Sequence, residues 1–406
     1  MNIGFFTDTY FPQVSGVSTS VKLLRDELVR QGHNVIIFTT TDPAAKPEIG
    51  VVRLPSIPFI NYDDRRIAYS GFDRCLKIAR QNELDIVHTH TEFSLGMAGK
   101  YVASRMKIPN VHTYHTMYEN YTHYILQGHL IHASHVRYLS KLYCNQTQGI
   151  ITPSKLTHDT LRNYGISEKI EIIPTGVKMP PYSDENRVQV REELGLAPSD
   201  IVLLSLSRVS KEKKIDEVIA AFPEIKEKVP NARLVIAGDG PILDDLKQIS
   251  KERNLDIIFV GGVEHDQVDR YYQMADLYIN ASDSESQGLT YLEAFANRLP
   301  IIARRNPYLE SIMPNENFGA LFDDENTLVE TALDFLQKKE TQTLQVIDQK
   351  QLRKLSSEYF GECVAGFYQE VIDEHTSSLD LTKFDKMYMK VKDAIREMIV
   401  GGMLDD

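Results

Sequence analysis

The sequence predicts an α/β protein built around two parallel, doubly wound sheets. Short apolar runs alternate with stretches of helical periodicity in both halves of the chain, and this alternation is typical of βαβ units. The chain has 406 residues, of which 42% are hydrophobic, so it can bury a full core and form two or three domains. The predicted strands are residues 3–6, 35–39, 86–90, 110–115, 149–152 and 170–173 in the first half, and residues 201–206, 233–237, 257–260, 277–279, 301–303 and 319–322 in the second.

A proline-rich stretch at residues 173–184 ends the first alternation, and we place the interdomain linker there. Residues 358–375 and 379–406 each have the periodicity of an amphipathic helix. The polar face of residues 379–406 mixes both signs of charge, which favours packing on the body or on a partner over membrane binding. The predicted domains are residues 1–174, residues 175–357 and a helical C-terminal segment, residues 358–406, whose first helix is expected to return to the first domain.

Composition excludes several classes of function. A formal net charge of −12 argues against nucleic acid as a partner. Cys75, Cys144 and Cys363 are widely spaced and odd in number, so we expect neither a disulfide framework nor a metal site, and we place the protein in a reducing cytoplasm. The amino terminus lacks the basic region of a secretory signal, and no apolar run approaches the roughly 18 residues of a spanning helix. We therefore expect any membrane contact to be peripheral.

A basic, histidine-rich segment interrupts the acidic chain at residues 100–155. It contains six Lys or Arg residues and a single acid, Glu119, and six of the twelve histidines fall between His112 and His135. Aromatic and aliphatic residues are interspersed with these cations. Such a mixture can bind the interface of an anionic membrane, but a buried helix pair with a few surface cations fits the composition equally well.

The stretch from residue 276 to residue 300 has the pattern of a strand, a polar loop and a helix. The backbone N–H groups of residues 286–290 then form a helix N-terminus, which binds anions such as a diphosphate, and Gly288 allows close approach. Glu285 and Glu293 lie beside this anion site, where carboxylates are suited to accept hydrogen bonds from hydroxyls. A second strand end precedes Arg208 and Lys213. Because ligands collect at the carboxyl ends of parallel strands, we expect these cations to meet the same diphosphate.

These motifs together resemble the retaining glycosyltransferases of family 4, which have the GT-B fold. The resemblance covers about residues 1–375 and is strongest for the bacterial diacylglycerol glucosyltransferases. The residues that carry it are the spacing of Arg208 and Lys213, the pair Glu285-x7-Glu293, and the runs 5–17, 111–121, 236–241 and 286–291. The resemblance implies two Rossmann-like domains facing a cleft, with the acceptor bound by the first domain and the nucleotide sugar by the second.

The implied reaction moves glucose from UDP-glucose to the 3-hydroxyl of 1,2-diacylglycerol with the α configuration retained, for membrane glycolipid or lipoteichoic acid anchor synthesis. It implies no cofactor and no metal. The resemblance also favours an anionic membrane as the partner of residues 100–155, at the inner face of the cell membrane. Two alternatives stay open: a soluble or already glycosylated acceptor, and a sugar-nucleotide-binding protein without transfer activity. The sequence leaves the oligomeric state open.

The resemblance also assigns roles to individual residues. His115, Glu285, Arg208 and Lys213 are the implied catalytic residues. The implied donor-binding residues are Gly16, Arg208, Lys213, Gly238, Val263, Glu285, Ser286, Gln287, Gly288, Leu289, Thr290 and Glu293. Glu293 is expected to hold the ribose hydroxyls and His115 the sugar; the alternatives are a helix-surface glutamate and a structural histidine. Asp8, Glu92 and Tyr118 are candidates to contact the acceptor hydroxyl, and the two acids are equally expected as exposed loop carboxylates.

Three positions depart from the family pattern. Ser15 replaces the first of two glycines before the first helix, and its hydroxyl is expected to serve as a further phosphate donor. Thr175 replaces an asparagine in the linker, which removes a hydrogen-bonding side chain. Arg298 replaces the glycine that usually ends the helix after Glu293, so either Arg298 takes a strained left-handed conformation at a cost of about 1 kcal/mol or the helix ends differently.

Overall fold

The computed structural model describes residues 1–13, 15–59, 62–115, 133–264, 266–282, 288–313, 315–341, 347 and 349–375. The chain forms two compact units. Unit 1 comprises Met1–Pro174 together with the described residues from Phe360 onward, and unit 2 comprises Thr175–Tyr359.

Unit 1 is organised around a seven-stranded parallel sheet with the strand order β3-β2-β1-β6-β7-β8-β9. Helices follow most strands, as the alternation in the sequence predicts. A separate antiparallel hairpin, β4–β5, was not predicted. The elements are β1 (Asn2–Phe6), α1 (Gly16–Arg30), β2 (Asn34–Thr40), β3 (Val51–Leu54), β4 (Ser56–Phe59), β5 (Tyr62–Ala68), α2 (Phe72–Gln81), β6 (Ile86–Thr89), α3 (Ser94–Met106), β7 (Asn110–Thr113), α4 (Ala133–Cys144), β8 (Gly149–Thr152), α5 (Lys155–Asn163) and β9 (Ile170–Ile172).

Unit 2 has a six-stranded parallel sheet with the order β12-β11-β10-β13-β14-β15. The first strand after the linker, β10, lies at its centre. The elements are α6 (Asp184–Glu193), β10 (Ile201–Leu206), α7 (Ile215–Lys228), β11 (Ala232–Ala237), α8 (Leu243–Glu252), β12 (Ile257–Gly261), α9 (Val268–Met274), β13 (Leu277–Asn280), α10 (Leu289–Ala296), β14 (Ile301–Arg304), α11 (Pro307–Ile312), β15 (Gly319–Phe322), α12 (Glu325–Glu340) and α13 (Gln349–Arg353).

The last described helix, α14 (Ser357–Glu374), carries an apolar face that packs into the core of unit 1. Val364, Phe367 and Val371 are at most 3% exposed and share a cluster with residues of β1 and α1. Gly149 makes room for this helix, because a Cβ at that position would lie 2.7 Å from the Phe367 ring. Burial of each such side chain contributes about 1.5–3 kcal/mol. The first domain thus includes this returning helix.

In unit 2, apolar residues pack on both faces of the sheet and form two clusters. This arrangement matches the near-continuous apolar runs of its strands, because parallel strands are covered by helices on both sides. No helix in the described ranges is both long and apolar enough to cross a membrane.

The structure answers the question raised by Arg298. Helix α10 ends at Ala296 with Asn297 as its C-cap, and Arg298 takes the left-handed conformation with φ 59°. Its guanidinium lies 5.2 Å from the centre of the Tyr182 ring. A contact of this kind contributes about 0.5–1 kcal/mol, which offsets much of the backbone strain.

Candidate active site

Four loops of unit 2 meet at the carboxyl ends of its strands. The Ser282 hydroxyl, after β13, donates to the Glu212 carbonyl oxygen in the loop after β10 over 3.1 Å. The Val209 amide donates to the Asp239 carbonyl over 2.9 Å, and the Gly238 amide donates to the Gly261 carbonyl over 2.7 Å. These contacts join the ends of β10, β11, β12 and β13. The loop that carries Arg208 and Lys213 therefore lies directly against the residue that leads toward α10.

The N-terminus of α10 has the features of an anion site. Gly288 is its N-cap, has φ 61° and makes no side-chain cap bond, so the first amides of the helix are not closed by a capping side chain. The Thr290 hydroxyl is buried and has no hydrogen-bond partner in the described part of the chain. Leu289 and Thr290 form the first turn. Predicted ligands Glu285, Ser286 and Gln287 lie outside the described residues.

Two cations flank Glu212 in the loop between β10 and α7. Arg208 is exposed and Lys213 is half-buried at the end of a short 3-10 turn, where its amide donates to the Ser210 carbonyl over 3.0 Å. Partial burial raises the pKa of Glu212, but the Ser210 hydroxyl and the charges of Lys213 and Arg208 outweigh this effect and lower it. The loop thus presents two cations at the carboxyl end of the sheet.

An arginine that sequence reasoning missed ties these loops together. Arg304, at the end of β14, donates from Nε to the Ala281 carbonyl over 3.1 Å. Its guanidinium also pairs with Glu217 of α7, which in turn accepts from Lys214 over 3.0 Å. Arg304 therefore fixes the segment that enters the loop before α10. Its position at a strand end was the only signal in the sequence, and a single arginine there has many possible partners.

Glu293 is the fifth residue of the eight-residue helix α10, and its side chain is partly buried. Its Oε2 accepts a hydrogen bond from the Tyr272 hydroxyl over 3.0 Å. Burial and the nearby Asp269 raise the pKa of Glu293, whereas the hydrogen bond from Tyr272 lowers it. The net effect is a pKa of about 7. A partly shielded carboxylate of this kind can accept hydrogen bonds from hydroxyl groups, and a contact of Glu293 with the ribose stays a prediction.

Gly238 and Gly16, two glycines of the predicted site, have different surroundings. A Cβ at Gly238, where φ is +136°, would lie 1.9 Å from the Ser207 carbonyl oxygen, so the packing of the two loops already demands glycine there. At Gly16, the first residue of α1, a Cβ would have no described atom within 4 Å. The described part of the protein leaves that space open, and such space is compatible with a glycine that faces a ligand. Val263 is partly buried and packs on the core of unit 2.

Ser15, which replaces the first family glycine, has a structural role at the start of α1. Its oxygen accepts from the Ser18 amide over 3.2 Å, while the Ser18 hydroxyl lies 2.8 Å from the Ser15 amide. The two residues thus form a capping box at the start of α1. The Ser15 oxygen thus accepts a hydrogen bond within the helix, and donation from its hydroxyl to a phosphate stays a prediction.

His115 follows β7 in unit 1 and does not end the strand as predicted, because β7 stops at Thr113. Its Nε2 lies 3.1 Å from Nδ1 of His90, and the two rings stack with 5.4 Å between their centres. Burial and the neighbouring His112 lower the pKa of His115 to about 3, and burial also lowers the pKa of His90. Both rings are neutral at pH 7. The pair therefore shares one proton, and His115 keeps Nδ1 for any ligand contact.

Asp8 is buried and so is not the solvent-exposed carboxylate that was one of its two predicted roles; its contact with the acceptor stays a prediction. Asp8 is 6% exposed, and its oxygens accept from the Thr91 hydroxyl over 2.6 Å, from the Ser94 hydroxyl and from the Leu95 amide over 3.1 Å. Burial raises the pKa of Asp8 despite these bonds. Asp8 anchors the start of α3. Glu92 is likewise paired, at 3.2 Å from Nε2 of the buried His112, and Tyr118 lies outside the described residues.

No cluster of three or more possible metal ligands occurs among the described residues. The described loops carry two cations, Arg208 and Lys213, and a helix N-terminus, which are suited to a diphosphate. The same helix, α10, carries Glu293, whose carboxylate is suited to hydroxyl groups. Such groups are of the kind that could bind a nucleotide sugar.

Comparisons with known proteins agree with this chemistry. The family "Glycosyltransferase Family 4" matches residues 14–179, and "Glycosyl transferases group 1" matches residues 186–351. The chain is 43% identical to the alpha-monoglucosyldiacylglycerol synthase of Streptococcus pneumoniae, with 96% of this chain and 90% of the relative covered. It is 32% identical to the enzyme of the same name from Acholeplasma laidlawii, with 94% and 100% covered.

Solved structures show the same fold at low identity. A glycosyltransferase from Rickettsia africae superimposes with a TM-score of 0.72 at 18% identity, covering 92% of this chain and 99% of that one. Anabaena HepE in complex with UDP-glucose superimposes with a TM-score of 0.69 at 16% identity, covering 91% and 100%. Both sheets are of the Rossmann-like type found in GT-B enzymes, as predicted. The chain therefore belongs to the family 4 glycosyltransferases, among which its relatives are the alpha-monoglucosyldiacylglycerol synthases.

Proposed function

We propose that this glycosyltransferase moves glucose from UDP-glucose to the 3-hydroxyl of 1,2-diacylglycerol and retains the α configuration. The names of its two relatives support the product. The observation that carries the donor side is the contact between Ser282 and Glu212, because it brings the cation loop to the segment entering α10. The product fits the first committed step of a membrane glycolipid or of a lipoteichoic acid anchor.

In the proposed reaction, the acceptor oxygen forms a bond to the anomeric carbon while the bond from that carbon to the diphosphate oxygen breaks. The electron pair of the broken bond goes to UDP, and the acceptor proton goes to the departing phosphate oxygen on the same face of the sugar. Negative charge therefore grows on the diphosphate. Arg208, Lys213 and the amides of Gly288, Leu289 and Thr290 are proposed to stabilise it, and one such donor typically contributes a factor of about 10²–10³ in rate.

The remaining predicted residues recognise the rest of the donor. Glu285 is proposed to bind sugar hydroxyls and Glu293 the ribose, while Gly238 and Val263 border the nucleotide. From unit 1, the contributions of Gly16 at the diphosphate and of His115 at the sugar stay predictions. Because His115 is neutral and shares a proton with His90, we expect it to hydrogen-bond the sugar rather than to carry charge.

The outer face of α4 is proposed as part of the membrane surface. Tyr138 and Leu139 are 66% and 59% exposed, and the cations Arg137 and Lys141 are exposed beside them. Large apolar groups left in solvent next to cations suit the interface of an anionic bilayer, where each cation contributes about 1 kcal/mol. The acceptor diacylglycerol resides in a bilayer, and we propose a peripheral position of the enzyme at the inner face of the cell membrane.

The transfer assay tests the proposal directly. Full-length protein is incubated with radiolabelled UDP-glucose and vesicles that contain diacylglycerol and anionic phospholipid, and the label is then partitioned between organic and aqueous phases. We expect label in the organic phase as an α-glucoside of diacylglycerol. Label that enters only a water-soluble product would indicate a soluble acceptor instead. Absence of turnover with a panel of nucleotide sugars would favour a binding protein without transfer activity.

A further inference from the structure

The carboxylate of Glu293 is held from one side by a tyrosine of the preceding helix. Tyr272 of α9 is fully buried, and its hydroxyl donates to Oε2 of Glu293 over 3.0 Å. No described residue is hydrogen-bonded to Oε1 of the same carboxylate. Among the described residues, the carboxylate thus has one oxygen bound by Tyr272 and one oxygen to which no hydrogen bond is donated.

Helices α9 and α10 are locked to each other around this contact. The side-chain amide of Asn297 donates to Oδ1 of Asp269 over 2.8 Å and to the Glu293 carbonyl oxygen over 3.0 Å. It also accepts from Nε2 of Gln273 over 2.9 Å. These bonds fix the backbone on both sides, so the direction of the Glu293 side chain depends on its own contact with Tyr272.

We propose that Tyr272 is a positioning residue for the donor ribose, which orients the Glu293 carboxylate and keeps it ionised so that Oε1 accepts a ribose hydroxyl. The inference rests on the proposed function, because it assumes that Glu293 faces the ribose. A carboxylate accepts hydrogen bonds on both oxygens, whereas a protonated carboxyl gives up part of that capacity. Tyr272 is thus a determinant of donor affinity that does not itself contact the donor.

The charges around Glu293 fix the expected pH dependence. Burial and Asp269 raise the pKa of Glu293, whose value is about 7, and the hydrogen bond from Tyr272 lowers it. Tyr272 and Asp269, both from α9, are the described titratable groups that act on this carboxyl. Loss of the Tyr272 hydroxyl must therefore raise the pKa of Glu293, and loss of the Asp269 charge must lower it.

The experiment measures binding of UDP-glucose to the full chain by calorimetry from pH 6 to pH 9 without acceptor. UDP-glucose is chosen because its doubly esterified diphosphate does not titrate in this range. For the wild type we expect affinity to fall by about tenfold from pH 8 to pH 6. Tyr272→Phe should shift this step upward by about one pH unit, which lowers affinity at pH 7 and restores it at pH 9. Asp269→Asn, which keeps the oxygen that Asn297 binds, should shift the step downward.

Tyr278→Phe is the matched control, since it removes another buried hydroxyl, which donates to the Leu206 carbonyl and accepts from the Asn280 side-chain amide. Its profile should superimpose on the wild type. Absence of a step in the wild type, or a Tyr272→Phe profile that coincides with that of Tyr278→Phe, would overturn the inference. If Tyr272→Phe fails to fold, the pH profiles of UDP-glucose affinity for the wild type and for Asp269→Asn still decide the test. Glu293→Gln separates failure of the role proposed for Tyr272 from failure of the proposed function. Unchanged affinity in this variant would remove Glu293 from the ribose site and contradict the proposed function itself.

Discussion

Replacement of Lys213 by alanine should abolish most of the transfer activity and leave the fold intact. Lys213 is half-buried at the end of a 3-10 turn, on the loop held against Ser282 and Asp239. We expect its ammonium group to lie where charge develops on the departing diphosphate. Removing one preorganised donor of this kind costs about 10²–10³ in kcat, or roughly 2.7–4 kcal/mol of transition-state stabilisation. The unfolding free energy should change by no more than about 0.5 kcal/mol, because a half-buried loop lysine contributes little to the packed core.

Lys211→Ala is the matched control for this prediction. Lys211 belongs to the same 3-10 turn and carries the same charge, but its side chain is exposed. We expect the organic-phase assay to show at most about a twofold change for Lys211→Ala, on the order of a weak surface charge effect. Circular dichroism of both variants should match the wild type. A Lys213→Ala enzyme with full activity, or equal losses in the two variants, would refute the assignment of Lys213 to the leaving group.

The packing and charge of particular residues support three more predictions. Gly16→Ala should leave the unfolding free energy within about 1 kcal/mol of the wild type, while the KM for UDP-glucose rises about tenfold. Gly238→Ala should instead destabilise unit 2 by at least about 1–3 kcal/mol, because the new Cβ clashes with Ser207. Urea titration measures the unfolding free energies, and steady-state kinetics measures the KM values. Burial lowers the pKa of Lys100 from 10.5 to about 7, so the folded state binds fewer protons than the unfolded chain between these values and becomes more stable as the pH rises. Lys100→Met should flatten this rise by about 1.4 kcal/mol per pH unit in urea titrations from pH 7 to pH 10, and parallel curves for variant and wild type would contradict the assignment. Replacing Tyr138 and Leu139 together by serine should weaken sedimentation with anionic vesicles several-fold without affecting UDP-glucose binding, and unchanged sedimentation would exclude α4 from the membrane surface.

The regular part of the fold was predictable because buried parallel strands are short apolar runs. The predicted residues 149–152, 201–206 and 319–322 are strands β8, β10 and β15 with the same bounds. The missed elements lack this pattern: β3 is a four-residue edge strand that contains an arginine, and β5 has the polar sequence Tyr-Asp-Asp-Arg-Arg. Such strands are specified by their pairing partners rather than by their own hydrophobicity.

The sequence predicted where the candidate site lies in the fold, but not the contacts between its residues. Arg208 and Lys213 follow a strand, and parallel topology alone brings such loops to one edge of the sheet. Arg304 and Tyr272 escaped notice because their roles depend on partners far away in the sequence, the Ala281 carbonyl and the Glu293 carboxylate. One of the two predictions for Asp8 placed it in solvent, because nothing in the local sequence shows that the start of a later helix will cover it.

A crystal structure of the protein with UDP would test the proposed donor site most directly. We predict that the diphosphate contacts the guanidinium of Arg208, the ammonium of Lys213 and the backbone amides at the start of α10, with Oε1 of Glu293 at a ribose hydroxyl. A nucleotide bound away from the contact between Ser282 and Glu212, or one whose phosphates touch neither cation, would contradict this prediction.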